Sequence, residues 1–361
     1  MIIKLHQSLI DDLENNEFTE DEIEALADIA SLRKNGRGFV LADKKLLIKL
    51  AQHNAFAQYT RNSFTQIYRD QTKWFNLVNN FNFIINITSN KLNHHNSLTL
   101  DTDNIYIPLS EFKNRESVII AENSIDIRFF TSLTKAYIKT KGIKGISLSY
   151  RSVLGGGDTT HQVINDHQSD QDGPAICILD SDKTYPGGNF GSTAAKVFEL
   201  VKSEKLTKII TTESREVENI IPFSILKSIF SNNKMQLEKI NKYEKFRDIT
   251  LGSNLPIKYI DFKKGLKLCL ANKKGDDEHN IFWRNTFSSL GIANICACIS
   301  PKKCTCLIVD GFGSDLLRTV VEYLESNPFC FSKVEDIYED ELSFICENLI
   351  PFILAPHALA S

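Results

Sequence analysis

Short apolar runs alternate with amphipathic segments over residues 118–211, and this alternation restricts the fold more than any other feature of the sequence. The runs that predict strands are Val118–Ala121, Ile143–Tyr150, Ala175–Leu179 and Thr207–Thr211. Helices are predicted between them over residues 125–141, 159–167 and 192–201. Because strands that are apolar on both faces lie inside a protein, the pattern predicts an α/β fold with a parallel sheet covered by helices on both faces.

Acidic residues follow three of the predicted strands, at the place where open α/β sheets bind their ligands. They are Glu122 and Asp126 after the first strand, Asp180 and Asp182 after the third, and Glu216 and Glu218 after the fourth. A cluster of buried carboxylates requires cations, and oxygen ligands suit Mg²⁺ or Mn²⁺. Two such ions can hold the attacking and leaving oxygens of a phosphoryl transfer. Each acid alone is also explained as a helix N-cap or as the partner of a lysine.

The order of these motifs resembles the TOPRIM domain of topoisomerases, primases and OLD-family nucleases. The matching segments are Glu122–Asp126 as the Glu-x3-Asp motif of the nucleases, Gly155–Gly157 as the glycine turn, Asp180–Asp182 as the Asp-x-Asp motif, and Arg215–Asn219 as the segment after the next strand. Asn123 stands where the family usually has a glycine. The resemblance covers residues 118–225 and implies a Rossmann-like TOPRIM sheet.

The resemblance also implies roles for these residues in a metal-dependent endonuclease. Those that would bind the metal ions are Glu122, Asp180 and Asp182, with Asp126, Glu216 and Glu218 as secondary ligands or general base. On a helix Glu216 and Glu218 would diverge, so that one of them would be structural. Lys263 or Lys264, at a predicted strand end before Gly265, would supply a cation near the reacting phosphate. An exposed pair of surface lysines is the alternative.

The rest of the chain selects among the reactions of TOPRIM proteins. It has no cysteine-rich start like that of a primase and no Gly-x4-Gly-Lys-Ser/Thr loop, and it is too short for a topoisomerase. The resemblance is closest to stand-alone nucleases of bacterial anti-phage defence. These would cut DNA or RNA, tRNA included, as toxic effectors activated through a separate ATPase or sensor protein. The alternatives are a TOPRIM-like binding subunit of an ATPase complex without independent activity, and a Mg²⁺-dependent phosphotransfer protein.

Four of the eight cysteines form two Cys-x-Cys pairs within eleven residues: Cys296, Cys298, Cys304 and Cys306. Four thiolates can close a tetrahedral Zn²⁺ site, which would be structural because no position is left open. A site of three cysteines completed by His279 is a variant of this prediction. In alternating strands, the two cysteines of a pair would instead share one face and be small core residues.

The sequence predicts three regions and a soluble setting. The regions are a mainly helical N-terminal region at 1–115, the TOPRIM catalytic domain at 116–265, and an α+β C-terminal extension at 266–361. Thr19 and Glu22 predict a capping box, and the acidic face of the helix that follows is either solvated or docks on a partner. The 42 Lys and Arg against 45 Asp and Glu argue against coating of nucleic acid by bulk charge. Without an apolar run of about 18 residues, we expect no membrane span and a cytoplasmic protein, compatible with a homodimer.

Overall fold

Two four-stranded parallel sheets, each flanked by helices, form the framework of the protein in the computed structural model. The structure describes residues 1–15, 17–78, 81, 83–92, 104–202, 206–272, 277–292, 296, 298, 304–327, 331, 334 and 336–358. The predicted α/β architecture of a parallel sheet with flanking helices is confirmed. None of the described helices is long and apolar enough to cross a membrane.

The first sheet lies in the region that the sequence predicted as mainly helical. Its elements are β1 (Ile2–Leu5), α1 (Leu9–Glu14), α2 (Glu20–Lys34), β2 (Phe39–Ala42), α3 (Lys44–Gln52), α4 (Gln58–Val78), β3 (Ile84–Thr88) and β4 (Asn104–Pro108). The strands lie in the order β2-β1-β3-β4, and all neighbours are parallel. The prediction missed β1 and β2 because a short apolar run next to helical segments cannot be told from part of a helix by its periodicity.

Helix α2 begins as its sequence predicts. Thr19 Oγ1 accepts the amide of Glu22 at 3.3 Å, and the Glu22 carboxylate accepts the amide of Thr19 at 2.8 Å. The capping box is therefore confirmed. Glu20, Asp21 and Glu24 are exposed on the same helix, and the docking of a partner there stays a prediction.

The second sheet carries the predicted acids. Its elements and those between them are β5 (Val118–Ala121), α5 (Ser124–Thr140), β6 (Ile146–Leu148), β7 (Arg151–Leu154), α6 (Thr160–Ser169), β8 (Ala175–Leu179), α7 (Ser192–Leu200) and β9 (Thr207–Thr211). The strands lie in the order β7-β5-β8-β9, and all neighbours are parallel. Counted along the chain, both sheets thus have the strand order second, first, third, fourth.

The C-terminal third completes the core around the second sheet. Its elements are α8 (Phe223–Ile229), α9 (Lys234–Arg247), β10 (Gly265–Lys267), α10 (Asp277–Ser289), β11 (Leu307–Asp310), α11 (Leu316–Ser326), α12 (Asp336–Ile353) and β12 (Leu354–Pro356). Helices α11 and α12 pack against α5. β10 pairs antiparallel with β11, so the boundary predicted after residue 265 falls inside β10.

One predicted strand is wrong. The sequence placed the second strand of the catalytic sheet at Ile143–Tyr150, but β7 is the strand that pairs with β5. Within the predicted run, β6 pairs antiparallel with β12 in a separate two-stranded sheet. β7 lies at the sheet edge with Arg151, Ser152 and Leu154 exposed. It therefore lacks the continuous apolar character by which buried strands are recognised.

Candidate functional site

The carboxyl ends of β5, β8 and β9 place the predicted acids at one edge of the second sheet. Glu122 directly follows β5, and Asp180 directly follows its parallel neighbour β8. Glu216 and Glu218 follow β9, at the start of a short 3-10 helix (Val217–Ile220). Asp180 Oδ1 accepts the amide of Val217 at 2.9 Å, so the ends of β8 and β9 are joined directly.

The turn after β8 is held by the loop after β9. Ser181 is buried and donates from Oγ to the carbonyl of Ser214 at 2.7 Å. The amide of Ser181 donates to Thr212 Oγ1 at 3.1 Å, and the amide of Asp182 donates to the carbonyl of Arg215 at 2.8 Å. The small hydroxyl residue between the two aspartates thus makes turn and loop one unit.

Asp182 is held in an unusual backbone conformation. Its φ of +54° lies in the left-handed region, which Asp and Asn tolerate better than most residues. Gly191 packs so closely against it that a Cβ atom at residue 191 would overlap the Asp182 carboxylate. Burial raises the pKa of Asp182, while the Arg215 guanidinium opposes this rise. Backbone strain of this kind is concentrated at functional sites.

Glu216 and Glu218 reach the same cation although they are two residues apart. Lys263 Nζ lies 3.4 Å from Glu216 Oε2 and 3.2 Å from Glu218 Oε1. Asn219 Oδ1 accepts the amide of Glu216 at 3.1 Å, and Asn219 Nδ2 donates to the carbonyl of Ile260 at 2.8 Å. Asn219 is fully buried, so it connects the acidic segment firmly to the chain that leads to Lys263.

The two predicted lysines lie in a turn before β10 rather than at the end of a strand. Asp261 Oδ1 accepts the amide of Lys264 at 2.7 Å, and the amide of Gly265 donates to the carbonyl of Asp261 at 2.7 Å. Burial lowers the pKa of Lys263, but the charges of the surrounding carboxylates outweigh this effect and raise it. The Lys264 side chain is 82% exposed. Lys263 therefore belongs to the site, and Lys264 lies at the surface.

Asp126 has a structural contact that also explains Asn123. The amide of Asn123 donates to Asp126 Oδ2 at 3.1 Å, and the Asn123 side chain accepts the amide of Asp126 at 3.3 Å. The two residues form the capping box of α5. The pKa of Asp126 is raised to about 7. Burial is the largest cause, the hydrogen bond from the Asn123 amide opposes it, and the charges of Glu218 and Glu122 add to it. Asp126 thus caps a helix within the field of the other acids.

Six carboxyl groups make up the acid cluster: Glu122, Asp126, Asp180, Asp182, Glu216 and Glu218. Burial raises the pKa of Asp180 well above its usual range, and the charges of neighbouring acids add to the rise. Glu218 Oε2 is buried and has no hydrogen-bond partner among the described residues. In that part of the chain, the ion-pair partners of the cluster are Arg215 and Lys263. Two cations face six carboxyl groups, and a further cation would stabilise the ionised forms of Asp126 and Asp180, whose pKa values are raised without it.

The structure adds Glu341, a residue of this site that sequence analysis missed. Glu341 is buried on α12; its Oε1 accepts the amide of Ser214 at 2.8 Å, and its Oε2 accepts Ser214 Oγ at 2.7 Å. Lys258 Nζ lies 3.3 Å from Glu341 Oε2 and 2.8 Å from Glu213 Oε2. Helix α12 thereby holds the loop that fixes the turn after β8. No local pattern could reveal this contact, because it joins residues 127 positions apart.

The four cysteines of the predicted zinc site come together. Cys296 Sγ lies 3.6 Å from Cys304 Sγ, and Cys298 Sγ lies 3.7 Å from Cys306 Sγ. All four sulfur atoms lie within 4.8 Å of one another. A tetrahedron of sulfurs about 2.3 Å from Zn²⁺ has edges of about 3.8 Å, whereas a disulfide is about 2.05 Å long. This cysteine cluster can therefore hold a metal such as zinc.

Among the described Asp, Glu, His and Cys side chains, the four thiols are the group whose ligand atoms already lie at a metal-binding spacing. His279, the alternative fourth ligand, is not in this group and packs its ring 5.5 Å from that of Tyr185. The acid cluster is not in it either, and Lys263 separates two of its members.

Comparison of the chain with family models, curated proteins and solved structures gives no match. The charges of the site indicate which ions it can bind. Surplus carboxylate oxygens attract a hard divalent cation such as Mg²⁺. The Lys263 ammonium in the same place attracts an anionic group such as a phosphate.

Proposed function

We propose that this chain is a metal-dependent endonuclease with a TOPRIM-type catalytic domain that hydrolyses phosphodiester bonds of DNA or RNA. The observation that carries the proposal is the acid cluster, in which carboxylates from the ends of neighbouring parallel strands outnumber their cations. The order of the Glu-x3-Asp motif, the glycine turn and the Asp-x-Asp motif along β5, β7 and β8 supports the TOPRIM identity.

Mg²⁺ or Mn²⁺ fits the donor set of the acid cluster. Glu218 Oε2 is a buried oxygen without a hydrogen-bond partner among the described residues. Burial first, and then the charges of neighbouring acids, raise the pKa of Asp180, and a bound cation would favour its ionised form. The residues that would hold the ion are Glu122, Asp180 and Asp182, with Asp126, Glu216 and Glu218 around them. When bound, such an ion supplies charge stabilisation at the phosphate and lowers the pKa of a bound water.

The chain's own residues would prepare the phosphate for hydrolysis. Lys263 places an ammonium beside Glu216 and Glu218, where it can approach a phosphate oxygen and stabilise its charge. Asp126, with a pKa of about 7, can accept a proton near neutral pH. The phosphotransfer alternative fits less well, because it gives no role to Glu216 and Glu218, which lie beside Lys263 in the same cluster.

On the resemblance alone, the proposal extends to a toxic effector of anti-phage defence that a separate ATPase or sensor protein activates. The exposed acids of α2 offer a surface to a basic partner. Co-purification from native cells tests this part. Elution of the chain alone, with constitutive cleavage, would contradict it.

We also propose that the cysteine cluster holds one structural Zn²⁺. The sulfur spacing supports zinc over a disulfide, and four thiolates leave no open position for catalysis. The cluster directly precedes β11, which leads to Gly311, and a Cβ atom at Gly311 would overlap the carbonyl of Lys263. Zinc would therefore brace the antiparallel pair of β10 and β11, which supports the Lys263 turn.

Cleavage assays on DNA and RNA with Mg²⁺, Mn²⁺ or chelator test the nuclease proposal. Glu122→Gln and Asp180→Asn should abolish metal-dependent cleavage with the fold intact, because each replaces a carboxylate by an amide of the same shape. Glu213→Gln is the matched control, since Glu213 lies near the site but is exposed and pairs with Lys258. Full cleavage by the first two variants would contradict the proposal. A wild type that never cleaves but binds a partner would favour the binding-subunit alternative.

A further inference from the structure

A group of exposed aromatic rings and a lysine adjoins the acid cluster. Phe190 and Phe198 are 37% and 50% exposed, and their ring centroids lie 5.2 Å apart. Lys183 Nζ lies 4.4 Å from the centroid of the Phe190 ring. Grouped apolar side chains on a surface are more informative than single ones, because they mark binding sites. These three residues are called the aromatic patch below.

The loop that carries Lys183 and Phe190 is fixed in place, and it leads into α7, which carries Phe198. The carbonyl of Thr184 accepts Trp283 Nε1 at 3.0 Å. Gly191, next to Phe190, packs directly against the Asp182 carboxylate. The aromatic patch is therefore continuous with the acid cluster, and little has to be ordered when a ligand binds.

The aromatic patch has the chemistry of a platform for nucleic acid. Nucleic-acid bases stack on aromatic rings, and lysines pair with the phosphates between them. Single strands expose the faces of their bases, whereas a duplex has already stacked them. A protein partner matches less well, because a stable protein interface takes about 800 Å² on each side and two phenyl rings supply a small part of that area.

We infer that the aromatic patch binds single-stranded nucleic acid beside the acid cluster. The inference rests on the proposed function, since a strand stacked on Phe190 and Phe198 would pass its next phosphodiester to the carboxylates around Asp182. Single-stranded DNA and RNA share these stacking faces and phosphates, so both bind. Duplexes bind more weakly because their bases cannot reach the rings.

Binding to the full chain in buffer without added Mg²⁺ or Mn²⁺ tests the inference separately from cleavage and leaves a zinc ion in the cysteine cluster undisturbed. The probes are strands of about 12 nucleotides that contain 2-aminopurine, as DNA and as RNA, and the matching duplexes. The wild type should bind both single strands more tightly than the duplexes and quench the 2-aminopurine fluorescence. Phe190→Ala combined with Phe198→Ala should weaken single-strand binding at least about tenfold.

Two further variants serve as controls. Tyr59 on α4 is 61% exposed and has Lys34 Nζ 5.5 Å from its ring centroid. It repeats the aromatic–lysine arrangement on the N-terminal region, so Tyr59→Ala should bind like the wild type. Phe190→Trp retains a stacking face and should also bind like the wild type.

Three outcomes overturn the inference: equal single-strand affinity of the double variant and the wild type, tighter binding of duplexes, or an equal loss in Tyr59→Ala. Tighter binding of either the DNA or the RNA strand supports it and identifies the preferred substrate. If single strands bind at the aromatic patch but no metal-dependent cleavage is found, the proposed function fails and the inference holds. If cleavage occurs and the double variant binds normally, the inference fails and the proposed function holds.

Discussion

Lys263 holds its ammonium between Glu216 and Glu218, whose oxygens would also attract a divalent cation. Lys263→Met removes this competitor, so added Mg²⁺ should raise the unfolding midpoint of the variant more than that of the wild type. Without metal the variant should be less stable, because two buried carboxylates lose their cation.

Lys264→Met is the control for this measurement, since Lys264 is exposed and its loss should change stability by no more than about 0.5 kcal/mol. A smaller Mg²⁺ effect in Lys263→Met than in the wild type would show that the metal and the lysine do not share ligands.

The raised pKa of Asp126 makes the stability of the metal-free chain depend on pH. The pKa of the Asp126 carboxyl group is about 7 in the folded chain, against an ordinary value of 3.8. Its contribution to stability is therefore fully present below about pH 4 and is lost as the pH rises through about 7. Asp126→Asn cannot ionise and still accepts the Asn123 amide, so its stability relative to the wild type should increase over this range. Denaturant unfolding without added Mg²⁺ or Mn²⁺ measures the difference, and a constant difference would contradict the raised pKa.

Single residues differ in how far the sequence could predict them. The acids were found because each directly follows an apolar strand or the turn after it. Lys263 and Lys264 could not be told apart, because the turn around Asp261 decides which one faces the acids. Glu341 was missed because its partner Ser214 lies 127 positions away along the chain.

At the scale of elements, α12 is predicted to position the acid cluster through Glu341. Glu341→Ala should lower the free energy of unfolding by about 2–4 kcal/mol, because the buried amide and hydroxyl of Ser214 and the Lys258 ammonium lose their acceptor. Cleavage should fall with it as the loop shifts. Glu339→Ala, at an exposed position of α12, should change neither quantity. If Glu341→Ala changed neither the free energy of unfolding nor cleavage, α12 would not position the acid cluster.

The antiparallel pair of β10 and β11 is predicted to depend on zinc. Metal analysis of the chain purified without chelators should find about one zinc per chain. Cys304→Ser should lose most of it and unfold at lower temperature. Cys346→Ser alters a buried thiol outside the cluster and should keep its zinc. Less than about half an equivalent of zinc in the wild type would mean that the four cysteines are core residues that bind no metal.

Elements were predictable where burial gives them a uniform pattern. β5, β8 and β9 and the helices between them lie close to their predicted positions. β5 and β8 are central strands and are buried throughout, whereas β9 lies at the other edge of the sheet and was recognised by Ile209 and Ile210. The edge strand β7 failed this criterion, and the apolar run before it serves the small sheet with β12. That pairing joins distant parts of the chain, which no local pattern records.

At the scale of the whole molecule, the N-terminal and C-terminal regions are integral to the fold around the acid cluster. A continuous hydrophobic core extends from β1 to β12, and α12 supplies a buried carboxylate to the site. Strands β1 and β2 of the N-terminal sheet escaped prediction because short apolar runs beside helices resemble helical segments, although the sheet has the strand order of the second sheet. The site therefore depends on a contact with the C-terminal region as well as on residues 116–265, and the N-terminal sheet shares the hydrophobic core with both.

Isothermal titration calorimetry of Mg²⁺ binding to the full chain tests whether the acid cluster is a metal-binding site. Mg²⁺ prefers carboxylates to thiolates, so the cysteine cluster does not interfere. The wild type should bind one or two ions, and Asp180→Asn combined with Asp182→Asn should bind at least about tenfold more weakly. Asn keeps the Val217 contact and tolerates the left-handed backbone at residue 182, so the fold should remain intact. A wild type that binds no Mg²⁺, or a variant that binds it equally well, would contradict the account.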